Sequence, residues 1–189
     1  MRAAASRRLR AARPITGSSF RLPAWASKRH DGRVHLQVVG PTNGRGPDAR
    51  SILTCLPTWF ADAAAVDDYV AAADRGPCWV ARDGRDSVGF LALTQDFPAS
   101  AEIIAMGVLP AYRGRGIGRS LVEAVTSWAI TSGVRVLYVK TLGPSDPDPG
   151  YAETRAFYEA VGFVPIEENS SMWGPASPCL LSVKPINAD

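Results

Sequence analysis

A chain of 189 residues, 46% apolar and 21% charged, is long enough for one domain with a real core and too short for two of ordinary size. No run approaches the roughly 18–20 uncharged apolar residues of a membrane span, which excludes a helical membrane protein. The formal charge of +3 misleads about partners. Residues 1–30 hold seven arginines and one lysine and no acid, whereas the chain from Asp31 onward has 13 basic and 18 acidic residues. The domain is therefore mildly acidic, and nothing in its charge points to nucleic-acid binding by the folded part.

The two regions divide the chain into a basic extension, residues 1–30, and a single domain, residues 31–189. The extension is rich in Ala, Arg, Ser and Pro without apolar periodicity and reads as disordered; an import signal or a tether to an anionic partner are the other readings. It lacks the continuous apolar stretch of a secretory signal. Cys55, Cys78 and Cys179 are odd in number and widely spaced, which argues against a disulfide framework or a zinc site and for a reducing cytoplasm. No metal site is expected.

Within the domain, Val34 to Val39 alternates and predicts a first strand, ended by Gly40-Pro41. A helical stretch follows from Asp48 to about Ala73, broken near Pro57. Trp59, Ala63, Val66, Val70 and Ala73 fall on one face of it. Cys78–Arg82 and Ser87–Thr94 are strand-like runs joined by Asp83-Gly84-Arg85-Asp86, a hairpin signal. Glu102 to Val108 is a further strand, closed by Leu109-Pro110.

After the Arg113–Gly118 loop, Ile117, Leu121, Val125, Trp128 and Ala129 mark an amphipathic helix that ends at Gly133. Val134–Leu142 is apolar on both faces, as a central strand is. The segment 143–150, with three prolines, reads as irregular. Tyr151–Val161 is helical, with Gly162 placed to end it. Phe163–Glu167 and Cys179–Lys184 close the chain as two strands around Trp173-Gly174-Pro175. Antiparallel runs passing into a strand–helix–strand crossover predict an α/β fold with a mixed, mostly antiparallel sheet and helices on both faces.

Glycines at 114, 116 and 118 between a strand and a helix let the backbone turn sharply and approach a bulky group closely. The helix behind them offers unpaired N–H groups and the positive end of its dipole, the elements of a phosphate site. Arg113, Arg115 and Arg119 add charge. The spacing is neither that of a P-loop nor G-x-G-x-x-G.

With its surroundings, this loop resembles the GNAT superfamily of N-acetyltransferases. Arg113-Gly114-Arg115-Gly116-Ile117-Gly118 matches the family's signature Q/R-x-x-G-x-G/A. Met106-Gly107-Val108-Leu109-Pro110 stands where the family's central strand precedes it. Arg155 to Phe163 is similar to the family's late helix ending in F-Y-E-x-x-G-F. The resemblance covers roughly Val34 to Pro185.

It implies a sheet whose two central parallel strands splay apart, with acetyl-CoA as cosubstrate entering the gap. Main-chain groups of Met106, Gly107 and Val108 would bond the pantetheine arm as an added strand. Gly107 would keep that strand open to close approach, and the amides from Arg113 through Gly114, Arg115, Gly116, Ile117 and Gly118 to Arg119 would hold the pyrophosphate.

The implied reaction is direct attack of an amine on the thioester in a ternary complex. The amine must lose a proton and the thiolate must gain one. Tyr158 matches the family's acid and is read as pointing some 100° away from the apolar face of Phe157; packing under the sheet edge is the alternative. Glu102 resembles the base of some members, with an exposed rim carboxylate as the alternative. Tyr151 replaces an asparagine that contacts the cofactor in many relatives and would instead line the acceptor site or stack on the cofactor. No histidine lies near a cysteine in sequence, so acyl-cysteine chemistry is disfavoured, and His35 reads as structural.

The expected acceptor is a small-molecule or peptide amine. Asp62, Asp67 and Asp68 on the early helices, and Asp146, Asp148 and Glu153 after the central strand, suggest steering of a cationic one. A CoA-binding sensor or interaction domain without transferase activity is the other functional class. Oligomeric state stays open, a homodimer included.

Overall fold

The computed structural model describes residues 36–186. The basic extension, Val34 and His35 lie outside the described residues. Seven strands and four helices follow in the expected order: β1 (Leu36–Thr42), α1 (Gly46–Leu53), α2 (Ala63–Arg75), β2 (Cys78–Asp83), β3 (Asp86–Phe97), β4 (Ser100–Val108), α3 (Ile117–Thr131), β5 (Val136–Leu142), α4 (Pro149–Ala160), β6 (Val164–Asn169) and β7 (Cys179–Pro185). The sheet order is β1-β2-β3-β4-β5-β7-β6, and β4–β5 is its one parallel pair. Among the described residues no helix is long and apolar enough to cross a membrane.

Local chemistry accounts for the boundaries, including those the sequence misplaced. β1 does not stop at Gly40-Pro41 but runs to Thr42 through a register shift between Val39 and Thr42. It is an edge strand, where a proline removes no needed ladder bond. Gly40 has φ +143°, and a Cβ there would come within 2.6 Å of the Cys78 carbonyl, so only glycine fits this crossing.

The helical stretch 48–73 is two helices. Pro57 falls in the linker, and Asp62 starts α2 by accepting from the Ala64 and Ala65 amides at 2.9 and 3.3 Å. Trp59 is therefore a linker residue. α4 begins at Pro149, inside the segment read as irregular. Asp148 caps it, accepting from Gly150 N at 2.8 Å, and Pro149 fills a first-turn position that needs no donor.

Side-chain alternation along β3 and β4 sorts the helices onto the two faces. Phe90 and Gly107, paired across the strands, face α1 and the linker after it, where Ile52 and Leu56 close on Gly107. Gly89 and Val108, the next pair, face Ile117 of α3. Trp79 of β2 meets Trp128 of α3 edge to face, ring centres 5.6 Å apart. The core is built from Trp79, Phe90, Leu91, Leu93, Leu121 and Leu137, all essentially inaccessible.

Candidate functional site

The site begins with a parting of strands. β4 and β5 pair only from Ser100↔Val136 to Ile103↔Val139. Beyond that β4 stays paired with β3 as far as Val108, while β5 stays paired with β7 as far as Leu142. A bulge at Ile104, where Ala92 opposes Ala105 and Leu93 opposes Ile103, bends β4 at the point of parting. The edge of Ile104–Val108 that turns away from β3 thus faces a cleft of about 1330 Å³, bounded by β5, α4 and the α1–α2 linker.

At the mouth of the cleft lies the glycine loop. Gly114 and Gly116 have φ +71° and +80°, and a Cβ on either would meet nothing within 4 Å, so these two serve backbone conformation and leave open space. Gly118 differs: a Cβ there would come within 2.9 Å of the Phe157 ring and 3.2 Å of Met106 Cε. It lets α3 lie against α4 and β4. No side chain caps α3, and among the described residues no backbone acceptor lies outside the helix for the amides of Ile117, Gly118 and Arg119. A helix start with open approach and uncapped donors has the donor set an anionic phosphate needs.

The three arginines do different things. Arg113 lies over the Trp59 ring, 4.4 Å from its centre, and its Nε donates to the Val108 carbonyl at 3.4 Å. Arg119 lines the cleft and donates to the Ala160 carbonyl at 3.2 Å. The Arg115 guanidinium lies 5.3 Å from the centre of the Tyr112 ring, and Arg115 is not among the residues lining the cleft. Gly107, expected to admit the cofactor, leaves room that α1 and the linker after it use: a Cβ would lie 2.9 Å from Leu56 Cδ1 and 3.2 Å from Ile52 Cγ2.

Tyr158 corrects the sequence reading of its direction. It is the buried residue of α4, 8% exposed, with its ring edge to face between Phe157 and Phe163, both 5.3 Å away. Its hydroxyl has no hydrogen-bond partner among the described side chains, and no sealed polar atom is left unpartnered. The hydroxyl therefore opens on the cleft that Tyr158 lines. Burial alone holds this phenol above its ordinary range, so it stays a proton donor at neutral pH.

Glu102 is no rim carboxylate. It is 9% exposed, on the paired part of β4, and its Oε2 accepts from Lys140 Nζ at 3.0 Å. Tyr138, its neighbour across the strands, is pushed up to about 12, first by burial and then by the Glu102 charge. Lys140 was missed by the sequence reading, although a single charge within the apolar run of β5 was the available signal. Arg155 donates to the Leu142 and Gly143 carbonyls at 3.0 and 3.1 Å and so fixes the end of β5 beside the cleft.

Opposite these stand Tyr151 and Tyr69. Tyr151 lines the cleft, its hydroxyl 3.5 Å from the Trp59 carbonyl, and burial with Asp148 and Asp146 pushes it up to about 12. Tyr69 on α2, unnoticed in the sequence, is raised by burial first and then by Tyr151, Glu102, Asp62 and Asp68, which places it among these groups. The acidic residues divide. Asp62 and Asp148 are helix caps, Asp146 accepts from Asp148 N at 2.9 Å, and Asp67 pairs with Arg50 at 2.8 Å. Asp62, Asp67, Asp68 and Glu153 line the cleft, whereas Asp146 and Asp148 do not.

The family model described as the acetyltransferase (GNAT) domain matches residues 74–165. No curated protein matches the sequence significantly. Among solved structures, Ard1 from Thermoplasma volcanium superposes with a TM-score of 0.65 at 17% identity, covering 82% of this chain and 100% of that one. A GNAT family acetyltransferase from Elizabethkingia anophelis with acetyl-CoA bound gives 0.62 at 16%, covering 81% and 99%. The ribosomal-protein-S18-alanine N-acetyltransferase from Escherichia coli also gives 0.62 at 16%, covering 82% and 96%. At such identities the likeness is one of fold.

Proposed function

The chain belongs to the GNAT superfamily, and on that premise we propose that it transfers the acetyl group of acetyl-CoA to an amine of a small molecule or peptide by direct attack in a ternary complex. The observation that carries this reading is the parting of β4 from β5 after Ile103↔Val139, which turns one edge of β4 toward the cleft beside the uncapped start of α3. An extended amide-bearing arm can pair with Met106–Val108, and a pyrophosphate can take the amides between Arg113 and Arg119 with Arg113 nearby.

In the same cleft Glu102 takes the proton of the attacking amine and Tyr158 returns one to the departing thiolate. The raised phenol supports the second role, since it is protonated at the pH where the thiolate leaves. Three unpaired cysteines support a reducing compartment, the cytoplasm.

Thermal unfolding with acetyl-CoA, followed by CoA release across a panel of amines, tests the reading. Ligand at about 100 times its Kd should add roughly 2.7 kcal/mol of stability. A Gly116→Glu protein that kept the full shift would remove the cradle, and absence of CoA release with every amine would remove the transferase.

A further inference from the structure

Lys140 is a cleft residue for which acetyl transfer to an outside amine has no use. The chain has only three lysines, at positions 28, 140 and 184. Lys28 lies outside the described residues, and Lys184 donates to the Val161 carbonyl at 2.8 Å. Lys140 stands on β5 one residue past Val139, the last residue paired with β4, where the fork opens. Its Nζ is 3.0 Å from the Glu102 carboxylate, with the two side chains 26% and 12% exposed. The cleft therefore contains an amine already in contact with the carboxylate assigned as base.

We propose that Lys140 is an internal acceptor, acetylated on Nζ by acetyl-CoA bound in the cleft; this rests on the acetyl-CoA reading above. Glu102 takes a proton from the Lys140 ammonium, and the neutral Nζ attacks the thioester carbonyl. The C–N bond forms and the C–S bond breaks, with the Tyr158 phenol giving its proton to the departing thiolate. The second proton, shed by nitrogen as the amide forms, restores the phenol through solvent. The products are acetyl-lysine and free CoA.

Acetylation removes the Lys140 charge and with it the ion pair to Glu102. The nearby alternative nucleophile is Cys179, which lies opposite Leu142 on β7 and is 1% exposed. Burial pushes its thiol up to about 11, which keeps it protonated and poorly nucleophilic. A lysine acetyl amide survives hydroxylamine, whereas a cysteine thioester does not.

The full chain is incubated with acetyl-CoA alone and followed by intact mass and peptide mapping, while Tm is recorded with and without the ligand. One hydroxylamine-stable acetyl group at Lys140, absent from Lys140→Arg and formed about a hundredfold more slowly in Glu102→Gln, is the expected result. The mapping needs no variant, so misfolding of either one leaves the test intact. Equal labelling of Lys28 and Lys184, or a hydroxylamine-labile group on Cys179, overturns the inference. A chain that is stabilised by acetyl-CoA and stays unmodified overturns it while leaving the transferase reading in place. A chain neither stabilised nor modified removes both.

Discussion

The guanidinium of Arg113 stacks on the indole of Trp59, 4.4 Å from the ring centre, and ties the glycine loop to the α1–α2 linker. A Cβ at Gly150 would lie 3.2 Å from the same indole, so Trp59 touches both the loop and the start of α4. Arg113 thus has a place when no phosphate is near and a charge to offer when one is.

Replacing Arg113 with alanine should raise the Kd for acetyl-CoA about ten- to hundredfold, or about 1.4–2.7 kcal/mol. The loss should shrink at high salt, because charge carries it. Calorimetric titration at low and high ionic strength checks this. An unchanged Kd would leave Arg113 with Trp59 alone.

The loop glycines should fail in different ways. Gly116→Ala forces a left-handed residue and should lower stability by about 1–2 kcal/mol, with no side-chain collision. Gly118→Ala meets the Phe157 ring and should cost about 1–3 kcal/mol through displaced packing. Urea unfolding measures both. The change at Gly118 should also lower CoA release, since Phe157 packs on Tyr158.

Tyr158 should govern turnover without governing affinity. Tyr158→Phe is expected to keep the thermal shift with acetyl-CoA and to lose about a hundredfold or more in turnover; undiminished turnover would end the acid role. Because burial raises this phenol, and Tyr69 and Tyr151 likewise, the folded chain retains protons that the unfolded chain releases. Stability is thus fully present below pH of about 10 and falls as pH rises further. Chemical unfolding across that range should show a shallower decline in Tyr158→Phe.

Asp148 and Asp68 separate capping from steering. Asp148→Ala should cost about 1 kcal/mol of stability and leave the KM of a cationic amine unchanged, because Asp148 caps α4 and does not line the cleft. Asp68→Asn should do the reverse, raising that KM with little loss of stability. Parallel unfolding and kinetics decide; a KM raised only by Asp148→Ala would restore the steering role to the segment before α4.

What the sequence made legible was whatever rests on local chemistry. The Asp83–Asp86 hairpin, the turn glycines at 114 and 116 and the order of elements all follow from nearest-neighbour patterns. Tyr158 was misdirected because helical period fixes an angle on the helix and not which side meets the sheet. Lys140 and Glu102 are 38 residues apart and meet only through the parallel pairing, which no local pattern encodes. The acids at 62 and 148 looked like a charged wall; their backbone partners, two and three residues on, show both to be caps, and of the two Asp62 alone also lines the cleft.

The bulge at Ile104 makes the depth of the cleft a matter of counting. Four residue pairs join β4 to β5, and each further pair zipped beyond Ile103 would seal about 3.3 Å of the gap. A bulge shifted along β4 would therefore change how deep a guest can reach with no lining side chain altered. Strand register thus sets the reach of the cleft alongside the side chains that line it, and a change in either would alter what fits.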